Sequence, residues 1–375
     1  MKVLICLIPF DYSSKTGMNR RILLILRGLV RLKKEYLFTI LITQDNYEFF
    51  KSEYPSFSYK VVYDYFMLRK MRSFSKLYWF YNCLYVNFYC IMSSYELYYF
   101  DFISAFSPCL LTKKKVFTIH HLPANIDKVS LKDRMFYNIF LTHNLKHTYY
   151  FSISEYTKNE IMHFYPAVKE DRLYVNYNPI EVLTSSLTDP ILNYQYILCV
   201  NTFHPKKNTL SLIRAFNIVK KNKSYKLVLV SSKNSYWNNV LFPEIVNLGL
   251  KDDVVCLGDV LDDELENIYR NASLFVSPSL REGFGYTPIE AAIYKIPVLV
   301  SMESALPETT CGLVNYYEPA MDEEVLAERI LYLLSNPPSE ELLDNVSFSL
   351  KSKYSVENRA KIFYSQIIDI LKVGV

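Results

Sequence analysis

Apolar positions along the chain fall into short continuous runs separated by stretches of helical spacing. Lys2–Ile8 contains the run VLICLI, which predicts a buried strand. A loop follows that ends at Gly17. Ile22, Leu23, Leu26, Leu29 and Val30 then recur at helical spacing, and Tyr36–Thr43 reads as the next strand. This strand–loop–helix–strand order predicts the opening of an α/β domain with a parallel sheet. Tyr98–Ala105, Val116–Ile119 and Tyr149–Ile153 are further strand candidates. Pro179–Pro190, PIEVLTSSLTDP, is polar and flanked by prolines, so it reads as a linker. The pattern then restarts with strands at Tyr196–Val200, Lys226–Ser231, Val254–Leu257, Leu274–Val276 and Pro297–Ser301. Helices are predicted over Thr209–Lys221, Asp262–Arg270 and from Pro288 to Tyr294. The tail, Val356–Val373, reads as an amphipathic helix. Three parts result: a domain over residues 1–180, a second over 190–352, and a terminal helical segment over 353–375.

The length of 375 residues suits two domains of ordinary size. Charge is unevenly spread. Residues 1–180 carry 24 Lys+Arg against 14 Asp+Glu, a balance of +10, whereas residues 181–375 carry 18 against 24, a balance of −6. The basic first half suggests an anionic partner such as a membrane surface or a lipid phosphate. No basic stripe or nucleic-acid-binding motif accompanies the charge, which argues against nucleic acid. The seven cysteines form no CxxC pair and no metal-site spacing. The N-terminus enters its first strand without the regions of a signal peptide, so the expected compartment is the cytoplasm, with reduced thiols. Leu77–Tyr95 contains no charged residue. Its asparagines, serines and tyrosines favour a buried helix over a membrane span. Arg69, Lys70, Arg72 and Lys76 precede it beside Trp79 and Phe80, a combination that suits a peripheral position on a membrane surface.

The chemistry concentrates in Ser277–Ser301, SPSLREGFGYTPIEAAIYKIPVLVS. Glu282 and Glu290 would share a helix face if one helix held both. Pro288 forbids this, because proline breaks a helix interior but is welcome in the first turn. The helix is therefore expected to begin at Pro288, with Thr287 as N-cap and Glu290 at the third helical position, a capping box. Gly283 and Gly285, two of only eight glycines, flank Phe284 in the preceding loop. Backbone N–H groups there, beside a helix N-terminus, would favour an anion such as a diphosphate. Glu282 could then reach donor-sugar hydroxyls and Glu290 ribose hydroxyls. The bland alternative leaves Glu290 as a cap and nothing more.

EGFGYTPIE resembles the E-x7-E signature of the family 4 retaining glycosyltransferases, which have the GT-B fold. The resemblance spans roughly Asn201–Pro319 and includes NTFHPKKNTLSLIRAF, Val254–Ser301 and LPETTCGLVNYYEP. Weaker similarity appears in VFTIHHLP, FSISEYTKNEI and VNYNPIE. It implies two Rossmann-like domains facing across a cleft, the first binding the acceptor and the second a nucleotide sugar. It further implies that the C-terminal helix returns to the first domain. By the same resemblance, Lys207 binds the donor diphosphate and stabilises the leaving group, with Lys206 a weaker candidate. His120, at a strand's carboxyl end, contacts the donor sugar. Gly17 stands for the N-terminal glycine loop. Phe284, Gly285, Tyr286 and Thr287 line the donor phosphates, with Asn201 nearby. The sequence departs from the family at His121, where an acidic residue is common, at Lys295, where glycine is frequent, and near Asn201, where an arginine is missing.

These readings predict a hexosyl transfer with retention from a nucleotide diphosphate sugar to a glycan or lipid-linked acceptor, in surface polysaccharide synthesis, without metal or other cofactor. No two aspartates are separated by one residue, and no HExxH, GxSxG or Walker A sequence occurs. Asp262, Asp263 and Glu264 look metal-like but are expected to charge a helix N-terminus. A sugar phosphorylase, a nucleotide-sugar epimerase and a non-catalytic nucleotide-sugar binder remain as alternatives on the same fold.

Overall fold

The computed structural model describes residues 2–8, 10, 12, 16–62, 75–101, 111–122, 145–182 and 189–373, with the backbone alone for 75–83. The chain divides into two compact units, Met1–Pro179 with Tyr354–Val375, and Ile180–Lys353.

In the first unit the described strands are β1 (Val3–Cys6), β2 (Phe38–Thr43), β3 (Ser58–Val62), β4 (Leu97–Phe100), β5 (Lys114–Ile119), β6 (Thr148–Ser152) and β7 (Leu173–Val175). They form one sheet in the order β3-β2-β1-β4-β5-β6-β7, and every pair is parallel. Parallel strands buried on both faces need apolar residues at every position, which is why VLICLI reads as a run and not an alternation. Its residues nevertheless sort by parity. Val3, Ile5 and Leu7 pack with α1 (Gly17–Arg31) and α2 (Gln44–Glu53), while Leu4, Cys6 and Ile8 pack with Val86 and Cys90 of α3 (Ser75–Met92) and Ile161 of α4 (Glu155–Phe164).

The second unit has β8 (Tyr196–Val200), α5 (Thr209–Lys220), β9 (Lys226–Val230), α6 (Phe242–Asn247), β10 (Val254–Cys256), α7 (Asp262–Arg270), β11 (Leu274–Ser277), α8 (Tyr286–Ile293), β12 (Val298–Ser301), α9 (Leu306–Thr309), β13 (Asn315–Tyr317), α10 (Glu323–Ser335) and α11 (Glu340–Tyr354). Its sheet order is β10-β9-β8-β11-β12-β13, again parallel throughout. In both sheets the strand order reverses beside the first strand. That is the doubly wound pattern, whose ligands bind beyond the carboxyl ends of the strands.

The terminal helix α12 (Val356–Lys372) lies in the first unit. Phe363, Ile367 and Ile370 enter the core shared with α1. Gly28 makes this approach possible, since a Cβ there would lie 2.4 Å from Ala360 Cβ and 2.8 Å from the Val356 carbonyl oxygen. Gln366 fastens α12 to the end of β7, accepting from Asn176 Nδ2 at 2.8 Å and donating to the Val175 carbonyl at 3.0 Å.

Several expectations change. The strand expected over Tyr98–Ala105 is Leu97–Phe100, and residues 102–105 lie outside the described ones. Helix α3 exposes Leu84, Phe88, Ile91 and Met92 while burying Val86 and Cys90. Among the described residues no helix is long and apolar enough to cross a membrane. Arg69, Lys70 and Arg72, and the side chains of Lys76, Trp79 and Phe80, lie outside the described residues. Asp262, Asp263 and Glu264 form the first turn of α7, where Glu264 Oε2 accepts from the Leu261 N–H at 2.8 Å.

Candidate functional site

In the second unit the site grows from two loops at strand carboxyl ends. After β8 the chain makes a short turn, Pro205–Lys207, capped by His204 Nδ1, which accepts from the Lys206 N–H at 3.2 Å. Asn208 then takes a left-handed conformation (φ 54°). It is held there by its amide donating to the Ala320 carbonyl at 2.9 Å and accepting from Ser211 Oγ at 2.8 Å. After β11 a second loop carries Arg281, Glu282, Gly283, Phe284 and Gly285. The two loops join where the Leu280 N–H donates to the Lys206 carbonyl at 2.8 Å. Lys207 and Glu282 meet there, with Nζ 2.5 Å from Oε1 and both side chains mostly covered.

Lys206 stands close enough to feel Lys207, Glu282 and Arg281. Burial lowers the Lys206 ammonium below its ordinary range, Lys207 and Arg281 lower it further, and Glu282 pulls it back up. Lys206, Lys207 and Arg281 thus cluster at the Glu282 carboxylate end of the two loops. His204 is likewise lowered, first by burial and then by Lys206 and Lys207. Beneath the pair, burial pushes the Cys199 thiol up to about 12, so it is a neutral core group.

The Glu282 loop is braced by hydroxyls from the end of β12 and the segment after it. Ser304 Oγ accepts from the Glu282 N–H at 2.8 Å, Ser301 Oγ donates to the Ser279 carbonyl at 2.5 Å, and Thr309 Oγ1 donates to the Phe284 carbonyl at 2.6 Å. None of these braces, nor Arg281, was among the sequence candidates. Arg281 stands directly before Glu282 and could have been noted. The hydroxyls lie about twenty residues downstream, where serine and threonine carry no local signal.

The capping-box expectation fails. Helix α8 begins at Tyr286 with Gly285 as N-cap, so Thr287 is the second helical residue, Pro288 the third and Glu290 the fifth. Proline is tolerated there because first-turn N–H groups need no intrahelical partner. The earlier start requires Gly285 at φ 80°, where a Cβ would also sit 2.7 Å from Leu306 Cδ2. Glu290 is buried and accepts from the Tyr269 hydroxyl at 3.3 Å. Phe284 is buried against Tyr286, ring centroids 5.1 Å apart. The Asn201 amide is turned toward Thr209 Oγ1 at 3.3 Å. Lys295 occupies a left-handed position (φ 63°) just after α8, which explains the usual glycine, and pairs with Asp344 at 2.5 Å.

In the first unit His120 directly follows β5 and is 8% exposed. Its Nε2 lies 2.7 Å from the Asp101 carbonyl oxygen and 3.6 Å from Asp101 Oδ2. Gly17 lies beyond β1, at the start of the next helix. It is the first residue of α1, with Thr16 Oγ1 as the cap accepting from the Asn19 N–H at 3.3 Å. Residues 13–15 lie outside the described ones.

Residues 189–347 match the family model described as glycosyl transferases group 1. The O-antigen chain mannosyltransferase B of Escherichia coli is 26% identical over 220 residues, covering 55% of this chain and 57% of that protein. The O-antigen chain mannosyltransferase RfbU of Salmonella typhimurium is 30% identical over 210 residues, covering 56% and 58%. The chain therefore spans somewhat over half the length of the curated relatives it matches. A glycosyltransferase from Rickettsia africae superposes with a TM-score of 0.74 at 16% identity, over 100% of this chain and 99% of that one. HepE of Anabaena, solved in complex with UDP, gives 0.72 at 14% identity, over 98% and 100%. These neighbours share the GT-B fold of two parallel-sheet Rossmann-like domains. The match to group 1 glycosyl transferases lies within the second unit, Ile180–Lys353.

Proposed function

We propose that this protein is a retaining glycosyltransferase of family 4. It moves a hexose from a nucleotide diphosphate sugar to a glycan or lipid-linked acceptor in surface polysaccharide synthesis. The observation that carries this reading is the Lys207–Glu282 pair at 2.5 Å inside a cluster with Lys206 and Arg281. A basic cluster at the carboxyl ends of two parallel strands, beside the amino end of α8, suits a diphosphate. The mannosyltransferase relatives favour mannose as the hexose.

In this reading Lys207, helped by Lys206, Arg281 and the α8 dipole, takes up the charge that develops as the nucleoside diphosphate leaves. Preorganised charge of this kind is the largest expected catalytic term. Glu282 is held to Lys207 in the free protein, and its carboxylate hydrogen-bonds donor-sugar hydroxyls when the phosphates take its place on the ammonium. Glu290, Tyr286 and Thr287 contribute to the nucleotide side, Asn201 supports the phosphate loop, Gly17 approaches the diphosphate, and His120 touches the sugar. The acceptor hydroxyl attacks on the face the diphosphate leaves, which gives retention. The cations replace a metal ion in this scheme. The basic first half of the chain favours work at the inner face of an anionic membrane.

The test is nucleoside diphosphate release from a panel including GDP-mannose and UDP-glucose, with and without a lipid-linked acceptor extract, in chelator. Release from one donor, stimulated by the extract and indifferent to chelator, is expected. Silence across the panel from folded protein would refute the reading.

A further inference from the structure

The first unit holds a buried charged network that the donor-binding reading does not use. Arg21 on α1 is 0% exposed and Asp101, just past β4, is 1% exposed. Arg21 Nη1 donates to Asp101 Oδ1 and, at 2.7 Å, to the Tyr99 hydroxyl, while Nη2 donates to Asn176 Oδ1 at 2.5 Å. Tyr99 donates to Asp101 Oδ1 at 2.6 Å, and its oxygen lies 2.7 Å from Thr118 Oγ1 on β5. Asp101 Oδ1 is therefore clamped from two sides. Among the described residues Oδ2 has no hydrogen-bond partner, and it lies 3.6 Å from His120 Nε2. Burial alone would raise the Asp101 carboxyl, but Arg21, then His120 and Tyr99, outweigh it, so the group lies below the usual carboxylate range and stays ionised.

Two facts make this more than a structural staple. A fully buried ion pair contributes little net stability compared with an apolar pair of similar volume, because desolvation offsets the attraction. Its geometry has a definite effect, however. A carbonyl oxygen can only accept, so the 2.7 Å contact from His120 Nε2 to the Asp101 carbonyl requires the hydrogen on Nε2. The ionised Oδ2 on the same side favours that hydrogen too. Nδ1 is left as the ring's accepting nitrogen.

We infer that Arg21 and Asp101 are positioning residues that lock His120 in its Nε2–H tautomer, so that Nδ1 accepts a hydrogen bond from a donor-sugar hydroxyl. This rests on the placement of His120 at the sugar in the proposed function. Clamping of Oδ1 fixes residue 101 at the end of β4, and its carbonyl and Oδ2 together fix the ring. Asn176 carries the clamp on to Gln366 of α12, so α1, β4, β5, β7 and the terminal helix all bear on one imidazole.

The test compares wild type with Arg21→Met/Asp101→Leu, which removes both charges at once. His120→Asn and the triple variant complete the set. The tautomer is read by nitrogen NMR of imidazole-labelled histidine, with His120→Asn identifying its signal among six histidines. Wild type is expected to show a protonated Nε2 and a bare Nδ1 in the neutral ring. The double variant is expected to show a mixture of tautomers. Its kcat for nucleoside diphosphate release should fall at least about tenfold with little change in donor KM. The triple variant should be no slower than His120→Asn alone. If the double variant unfolds, Tyr99→Phe, which removes one clamp on Oδ1, is read in the same two ways. An unchanged tautomer, or losses that multiply in the triple variant, overturns the inference alone. Normal turnover of His120→Asn overturns the placement of His120 and the inference together.

Discussion

Replacing Lys207 by methionine keeps the aliphatic stem and removes the charge. The Lys207 side chain is 16% exposed, so the charge acts in a partly desolvated site. A unit charge about 4 Å from a departing phosphate oxygen is worth about 4 kcal/mol at an effective dielectric of about 20. Loss of one preorganised donor to a developing anion costs about 2.7–4 kcal/mol in other enzymes. Lys206 and Arg281 remain in place and cover part of the deficit. The expected loss is therefore at the lower end, about 10²-fold in kcat/KM, or about 2.7 kcal/mol. Stability should change little, because Glu282 still has the Lys206 ammonium in range and is only partly desolvated. Unfolding free energy by urea titration should move by less than about 1 kcal/mol. The assay is initial-rate release of nucleoside diphosphate from the donor that wild type turns over, beside the urea titration. Turnover within about threefold of wild type in a folded variant would refute the reasoning.

Glu282→Gln separates binding from turnover. The carboxylate competes with phosphate for Lys207, so the free nucleoside diphosphate should bind about tenfold tighter by calorimetry while turnover falls at least about tenfold. Weaker binding would contradict the competition. Gly28→Ala should cost about 1–2 kcal/mol, because the 2.4 Å clash with Ala360 displaces α12 and outweighs the better helix propensity. Adding Ala360→Gly should recover part of the loss in thermal unfolding. Gly285→Ala, forced into φ 80° against Leu306, should lower both the melting temperature and turnover, whereas Gly312→Ala, with open space around its Cβ, should lower only the former. Asp101 is held below its ordinary value, so its stabilising contribution is fully present above about pH 3.9 and is lost as the pH falls through the lowered value. The stability difference between wild type and Arg21→Met/Asp101→Leu should therefore shift against wild type only below about pH 4.

The central strands β1, β8 and β11 were legible because a strand buried on both faces is an uninterrupted apolar run. The edge strands β3 and β13 gave no such signal. In Ser58–Val62 (SYKVV) only the last position is buried, and Asn315–Tyr317 is three residues long. The start of α8 was misjudged because Pro288 was read as the first helical residue. The real constraint was Gly285, whose left-handed backbone ends the loop two residues earlier. The meeting of Lys207 and Glu282, 75 residues apart, follows from β8 and β11 lying side by side, which no spacing rule reveals. Resemblance selected both residues, and the braces from Ser301, Ser304 and Thr309 stayed invisible. Arg21 was hidden for a further reason. It looks like a surface charge on an amphipathic helix until Asp101 and Asn176 are seen to meet it in the core.

Following the sugar itself tests the central claim most directly. Wild-type protein is given its donor, labelled in the hexose, together with a lipid-linked acceptor extract. Label is expected in the acceptor in equal amount to the nucleoside diphosphate released, with the anomeric configuration of the donor. Label recovered as a sugar 1-phosphate that depends on added inorganic phosphate, or as an isomerised donor with no acceptor consumed, would contradict glycosyl transfer.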